Sequence, residues 1–90
     1  MVELGNSEFF FKGKPALAIV ALNDAKTEWY ASSLAKEIDC TFPHIIKILA
    51  RFEVLGLVSF RVSGRKKLVL PTIKGRKLAE GLLSVISFLK

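Results

Sequence analysis

Apolar residues recur along this chain with a helical period, then a strand period, then a helical period again. From Ala16 to Leu22 the run is nearly continuous, with Leu17, Val20 and Ala21 at helical spacing. Pro15 is well placed to open that helix, since a first turn leaves its N–H positions unpartnered anyway. Asn23-Asp24 reads as its end. Thr27 to Ala31, containing Trp29 and Tyr30, reads as a short strand. Leu34, Ala35 and Ile38 then supply the face of a short helix capped by Ser32 or Ser33. After a break at Asp39-Cys40, a longer helix presents Ile45, Ile48, Leu49, Phe52 and Leu55. Thr41 can accept a hydrogen bond from one of its orphan N–H groups, and Pro43 lies in its first turn. Gly56 can take the left-handed conformation that closes it.

From Val58 the period becomes two: Val58, Phe60 and Val62 alternate with Ser59 and Arg61. Ser63-Gly64 signals a turn, and Lys66 to Leu70 returns as a second strand stopped by Pro71. Thr72 caps a last helix running to about Leu89. Leu78, Leu82, Val85, Ile86 and Leu89 form one face of it, widened by Ala79, Leu83 and Phe88. A surface helix normally buries roughly three positions in seven. The excess predicts burial against a second copy, with Leu82, Leu83, Ile86 and Leu89 as the seam. A close helix–helix crossing would give Gly81 a reason to sit inside that helix, where glycine costs about 1 kcal/mol relative to alanine. Near the N-terminus, Phe9, Phe10 and Phe11 cannot all face one core from a strand. They read either as an arm docked on the domain or as an addition to the dimer seam, where we place them.

The two helical segments from Ser32 to Leu55, joined by a tight turn, form a helix-turn-helix pattern, a motif whose second helix usually enters the DNA major groove. The sequence also resembles a known family here. "LAKEI", a short turn, the Thr41 cap, "HIIKIL" and "GLV" are similar to the winged helix-turn-helix of MarR- and ArsR-like prokaryotic transcription regulators, and "TIKGRKLAE" from Thr72 resembles the segment after their wing. The resemblance spans about Trp29 to Ala79. It implies an α+β, mainly α fold in the order helix, short strand, helix-turn-helix (about 32–55), two-stranded wing (about 57–70) and C-terminal helix (about 72–89). All of this would lie in one domain of 90 residues. It further implies that the short strand joins the wing as its third strand. Cys40 takes the place of a small apolar side chain at the inter-helix turn and reads as core.

Charge sharpens the picture. The formal net charge is +6 and the pI about 9.8. Between Val54 and Ala79 there are seven basic residues and no acidic one: Arg61, Arg65, Lys66, Lys67, Lys74, Arg76 and Lys77. A phosphate-contacting surface benefits from that exclusion. At 100° per residue, Lys47 lies opposite the apolar face of the second motif helix with Pro43 and Ala50, flanked by His44 and Arg51. Thr41, Pro43, His44, Lys47 and Arg51, with Arg61, Arg65, Lys66 and Lys67 of the wing, are therefore the candidate contacts to double-stranded DNA. Ile46, Ala50 and Val54 depart from the polar character of such helices, and Ile46 and Ala50 offer at most contacts with thymine methyls. The rival expectation is a winged helix used for protein or RNA contact within a larger assembly.

Other chemistries find little support. His44 is the only histidine and Cys40 the only cysteine, so neither an intramolecular disulfide nor a Cys/His zinc cluster is available. No nucleophile and orienting acid adjoin His44, and no glycine-rich phosphate loop or paired metal carboxylates appear, so we expect no enzyme, no cofactor and no metal. The longest apolar runs fall far short of a membrane span, and MVELGNSEFF lacks the basic-then-apolar order of a signal peptide. A cytoplasmic homodimer is the expectation.

Overall fold

Local capping chemistry sets most element boundaries. A computed structural model of the chain describes residues 13–24 and 26–88. Helix α1 spans Lys14–Leu22, α2 Ala31–Glu37 and α3 Phe42–Val54, followed by strands β1 (Val58–Ser63) and β2 (Lys66–Pro71) and helix α4 (Ile73–Phe88). Phe9, Phe10, Phe11 and Leu89 lie outside the described residues.

The start of α2 differs from expectation. Its N-cap is Tyr30, not Ser32 or Ser33. Ser33 instead sits one turn in, where its hydroxyl accepts from the Tyr30 N–H and donates to the Tyr30 carbonyl, both at 3.0 Å. At the other end, the Cys40 N–H reaches back to the Ala35 carbonyl at 2.9 Å and the Asp39 N–H to that of Lys36 at 3.3 Å. This is the double closure of a Schellman turn. It forces Asp39 to φ 55, the left-handed region that L-residues enter at a cost. Lys14 fixes the same turn from α1, its ammonium donating to the Ile38 and Asp39 carbonyls at 2.7 Å each.

Helix α3 begins where Thr41 Oγ1 accepts the His44 N–H at 3.3 Å, with Pro43 in the first turn. It ends with a second Schellman closure, Leu57 N–H to Phe52 carbonyl at 2.9 Å and Gly56 N–H to Glu53 carbonyl at 3.0 Å. Gly56, at φ 75, supplies the left-handed residue. Strands β1 and β2 pair antiparallel from Val58↔Pro71 to Ser63↔Lys66, leaving Gly64-Arg65 as a two-residue turn. Trp29 adds a single antiparallel bridge to Val69, whose N–H donates to the Trp29 carbonyl at 2.8 Å. The third strand is thus reduced to one residue.

The core gathers Ile19, Leu22, Leu34, Ile45, Ile48, Phe52 and Val69, each essentially inaccessible. Full burial of one such side chain is worth about 1.5–3 kcal/mol. Cys40 packs partly buried against its edge. The phase of α1 corrects the sequence reading: Pro15, Ala18, Ile19 and Leu22 face inward, Leu17 is half exposed, and Val20 and Ala21 are only partly buried. That helix is apolar on every side, so periodicity cannot select the inward face. Contacts with α4 and α2 do. The strand alternation also fades along β1, with Val58 buried, Phe60 half-buried and Val62 74% exposed as the hairpin leaves the core.

Where α4 starts, it is bolted to the end of α3. Thr72 Oγ1 accepts the Gly75 N–H at 3.1 Å and donates to the Gly56 carbonyl at 2.6 Å. The Thr72 N–H donates to the Leu57 carbonyl at 2.9 Å, and Lys74 Nζ to that of Leu55 at 2.8 Å. Gly75 is buried because a side chain will not fit: a Cβ there would overlap the Leu57 carbonyl oxygen and lie 3.1 Å from its carbon. Gly81, the position singled out by sequence, has nothing within 4 Å of where its Cβ would be.

Candidate nucleic-acid interface

The caps around Thr41 and Gly56 fix which way α3 presents its two sides. Ile45, Ile48, Leu49 and Phe52 turn into the core, leaving Phe42, Pro43, His44, Ile46, Lys47, Ala50, Arg51, Glu53 and Val54 exposed. The exposed side carries two parallel rows at four-residue spacing. One is apolar, Phe42–Ile46–Ala50–Val54, and its neighbour runs Pro43–Lys47–Arg51. Thr41 is exposed too, at the tip of the helix where its hydroxyl is engaged in the cap.

The hairpin stands beside this surface. A cleft between it and α3 is lined by Ile46, Leu49, Ala50 and Glu53 on the helix and by Phe60, Lys67 and Val69 on the strands. A second, more open notch brings Phe42 together with Tyr30, Arg65, Lys66 and Lys67. Lys67 Nζ lies 4.4 Å from the Phe60 ring centroid and Lys66 Nζ 5.3 Å from that of Tyr30. Cation–π contacts of this kind contribute about 0.5–1 kcal/mol at exposed sites. They hold two flexible lysines in place on the hairpin.

Arg61 stands apart from the other candidates. It pairs with Leu68, so it shares the hairpin face opposite to Phe60 and Lys67. There it lines a cavity with Leu22, Trp29, Leu70 and Arg76, away from α3. The Lys74 ammonium is committed to the Leu55 carbonyl at 2.8 Å. The sequence reading misses Tyr30, Phe42 and Glu53. Phe42, 53% exposed, announces itself only once the helix phase is known. Glu53 brings a carboxylate into the cleft, and in a major groove such a group can accept from a cytosine amino group.

Further along, α4 leaves its core contacts behind. Leu78 and Leu82 still pack against the core, whereas Leu83 (42%), Val85 (55%), Ile86 (41%) and Phe88 (86%) are exposed in the single chain. Among the described residues no group of three or more metal-binding side chains gathers, and no helix is long and apolar enough to cross a membrane.

No family model and no curated protein sequence matches this chain. Solved structures do. AF1382 from Archaeoglobus fulgidus superimposes with a TM-score of 0.83 at 22% identity, over 92% of this chain and 94% of that one. MepR, a transcription regulator of the Staphylococcus aureus multidrug efflux pump MepA, matches with a TM-score of 0.81 at 20% identity over 92% of this chain. The fold is a winged helix. In this winged helix α2 and α3 form the helix-turn-helix and β1 and β2 the wing. A MepR–DNA complex aligns with a TM-score of 0.78 at 21% identity, over 92% of this chain and 70% of that one. The MarR family transcriptional regulator SPO1453 from Silicibacter pomeroyi aligns with 0.75 at 22%, over 90% and 63%. The winged helix described here spans 65% of the MepR chain.

Proposed function

We propose that this chain binds double-stranded DNA with α3 in the major groove and the wing on the backbone, and that it acts as a dimeric transcriptional regulator. The observation that carries the reading is the cationic surface shared by two adjoining elements. Lys47 and Arg51 lie on the exposed side of α3, and Arg65, Lys66 and Lys67 of the wing meet the same helix at Phe42, with Lys67 also lining the cleft beside Ile46 and Ala50. Lysine and arginine at such positions neutralise phosphates and release counterions. The resemblance to a winged helix crystallised with DNA supports the same assignment. His44 and Pro43 flank the entry of α3, and Arg61 lies on the far face of the wing.

Replacing Arg65, Lys66 and Lys67 together with Ala tests this. Affinity for any duplex should fall, and the slope of log K against log salt should flatten by about 0.9 for each phosphate that is no longer neutralised. An unchanged slope would take the wing out of the interface.

The dimer reading rests on the uncovered apolar end of α4. One winged helix reaches few base pairs, and two copies reading half-sites about one helical turn apart would supply the rest. Leu83 and Ile86 are the centre of the proposed seam, with Leu82 shared between the seam and its own core and with Leu89 and the Phe9–Phe11 segment as additions. A second reading, a module for protein or RNA contact within a larger assembly, is favoured by the apolar row Phe42–Ile46–Ala50–Val54 on the surface meant for DNA. Stronger binding to RNA than to duplex DNA at matched salt would decide for it.

A further inference from the structure

The apolar row on α3 is the feature that DNA binding through cations alone does not use. Phe42 is 53% exposed, Ile46 44%, and Ala50 is exposed one turn further on. Soluble surfaces do carry single exposed apolar side chains, but here they are aligned at four-residue spacing. Cations stand on both sides of the row, with Glu53 of α3 beside Lys67 in the cleft. Lys47 and Arg51 form the adjacent row of the same helix, Lys67 lines the cleft that holds Ile46 and Ala50, and Arg65 and Lys66 share the notch that holds Phe42. An apolar protein partner would have to bury or displace these charges. A polyanion with an apolar strip between its charged rails would not.

The major groove of B-DNA is such a surface. Phosphates border it on both sides at a width of about 12 Å, and the apolar group on its floor is the thymine C5-methyl. Successive members of an i, i+4 row are about 6 Å apart along the helix axis. Base pairs stack about 3.4 Å apart, so Ile46 and Ala50 span roughly two steps. We propose that α3 selects DNA by its thymine methyls, with Ile46 and Ala50 as the specificity-determining residues and Phe42 packing at the edge of the same track. The preferred sites are then A·T-rich in the major groove, read by apolar contact more than by hydrogen bonds. This rests on the DNA-binding reading above and assigns what that DNA must carry.

Thymine and uracil differ by that methyl alone, which gives a direct test. The full chain is titrated with length-matched alternating dA·dT and dA·dU duplexes, and with dG·dC duplexes with and without a C5-methyl on cytosine. Each buried methyl is worth about fourfold in affinity, so two contacts give about tenfold or more between dA·dT and dA·dU. Methylated cytosine should recover part of the gain. Ile46→Asn, at an exposed position that leaves the core intact, should shrink the dA·dT over dA·dU ratio to about fourfold or less while leaving the salt slope unchanged. Equal affinity for dA·dT and dA·dU with a normal salt slope overturns the proposal and leaves DNA binding standing. A preference that survives intact in Ile46→Asn also overturns it, since the methyls would then be felt through DNA shape and not through this row. Failure to bind any duplex removes the DNA reading itself.

Discussion

Two glycines in α4 should respond to the same substitution with opposite signs. In an unobstructed helix, Gly→Ala is worth about 1 kcal/mol in favour of the folded state. Gly81 meets nothing within 4 Å and should gain that amount. At Gly75 the new methyl overlaps the Leu57 carbonyl oxygen, and backbone cannot rotate aside as a side chain would. Moving that carbonyl strains or breaks its 2.9 Å hydrogen bond from the Thr72 N–H. Overpacking of a closed site costs about 1–3 kcal/mol and a broken hydrogen bond about 0.5–1.5, against the 1 gained from helix propensity. The net is a loss of about 1–3 kcal/mol at Gly75. For a domain of this size 1 kcal/mol moves Tm by about 4–8 °C. Thermal and urea unfolding of G75A and G81A at one protein concentration therefore should diverge in opposite directions from the parent. Stabilisation by G75A would refute the packing argument, because it would mean that α4 does not press on Leu57.

Other consequences can be measured with the same preparations. Asp39→Gly should raise stability by up to about 1 kcal/mol and Asp39→Val lower it by about 1–2, because φ 55 penalises a side chain and most of all a β-branched one; urea midpoints will show whether the two variants fall on opposite sides of the parent. Lys47→Ala, on the exposed side of α3, should weaken duplex binding with little change in Tm, whereas Leu49→Ala, 2% exposed, should cost about 2–5 kcal/mol. Equal melting losses would contradict the phase of the helix. Leu83→Glu with Ile86→Glu should convert a dimer at micromolar concentration into a folded monomer, since a C2 seam receives each charge twice. Sedimentation of the parent as a clean 10 kDa species would end the dimer reading before any mutation is made.

What is legible in the sequence is what is decided locally. Thr41, Pro43 and Gly56 act on groups within four residues, so the bounds of α3 follow from their order alone. The inward face of α3 follows as well, because His44, Lys47 and Arg51 mark the side opposite to it, although they do not announce the exposed apolar row Phe42–Ile46–Ala50–Val54. Helix α1 offers no such contrast, and the face that wins there is set by α4, more than fifty residues away. Gly75 and Gly81 look alike in sequence, and the carbonyl that separates them belongs to Leu57. Ser33 is recognisable as a capping residue but not by its role, since a hydroxyl can serve a helix start equally from outside it or from its first turn. The displacement of Arg61 is within reach of sequence: strand alternation already puts it opposite to Phe60.

The junction at Thr72 makes α4 a lever. Its first turn is fastened to three consecutive carbonyls, those of Leu55, Gly56 and Leu57, that immediately follow α3, the helix proposed to enter DNA. With 16 residues the arm is about 24 Å long, so a tilt of about 5° at its base carries the far end through about 2 Å. Run in reverse, two arms clamped at their tips would set the distance between two reading helices through the angle at this joint. Substitutions at Thr72 or Lys74 would then retune which half-site spacing is accepted while every side chain that faces the DNA stays the same. Gauge, and not grip, would be what this corner of the fold controls.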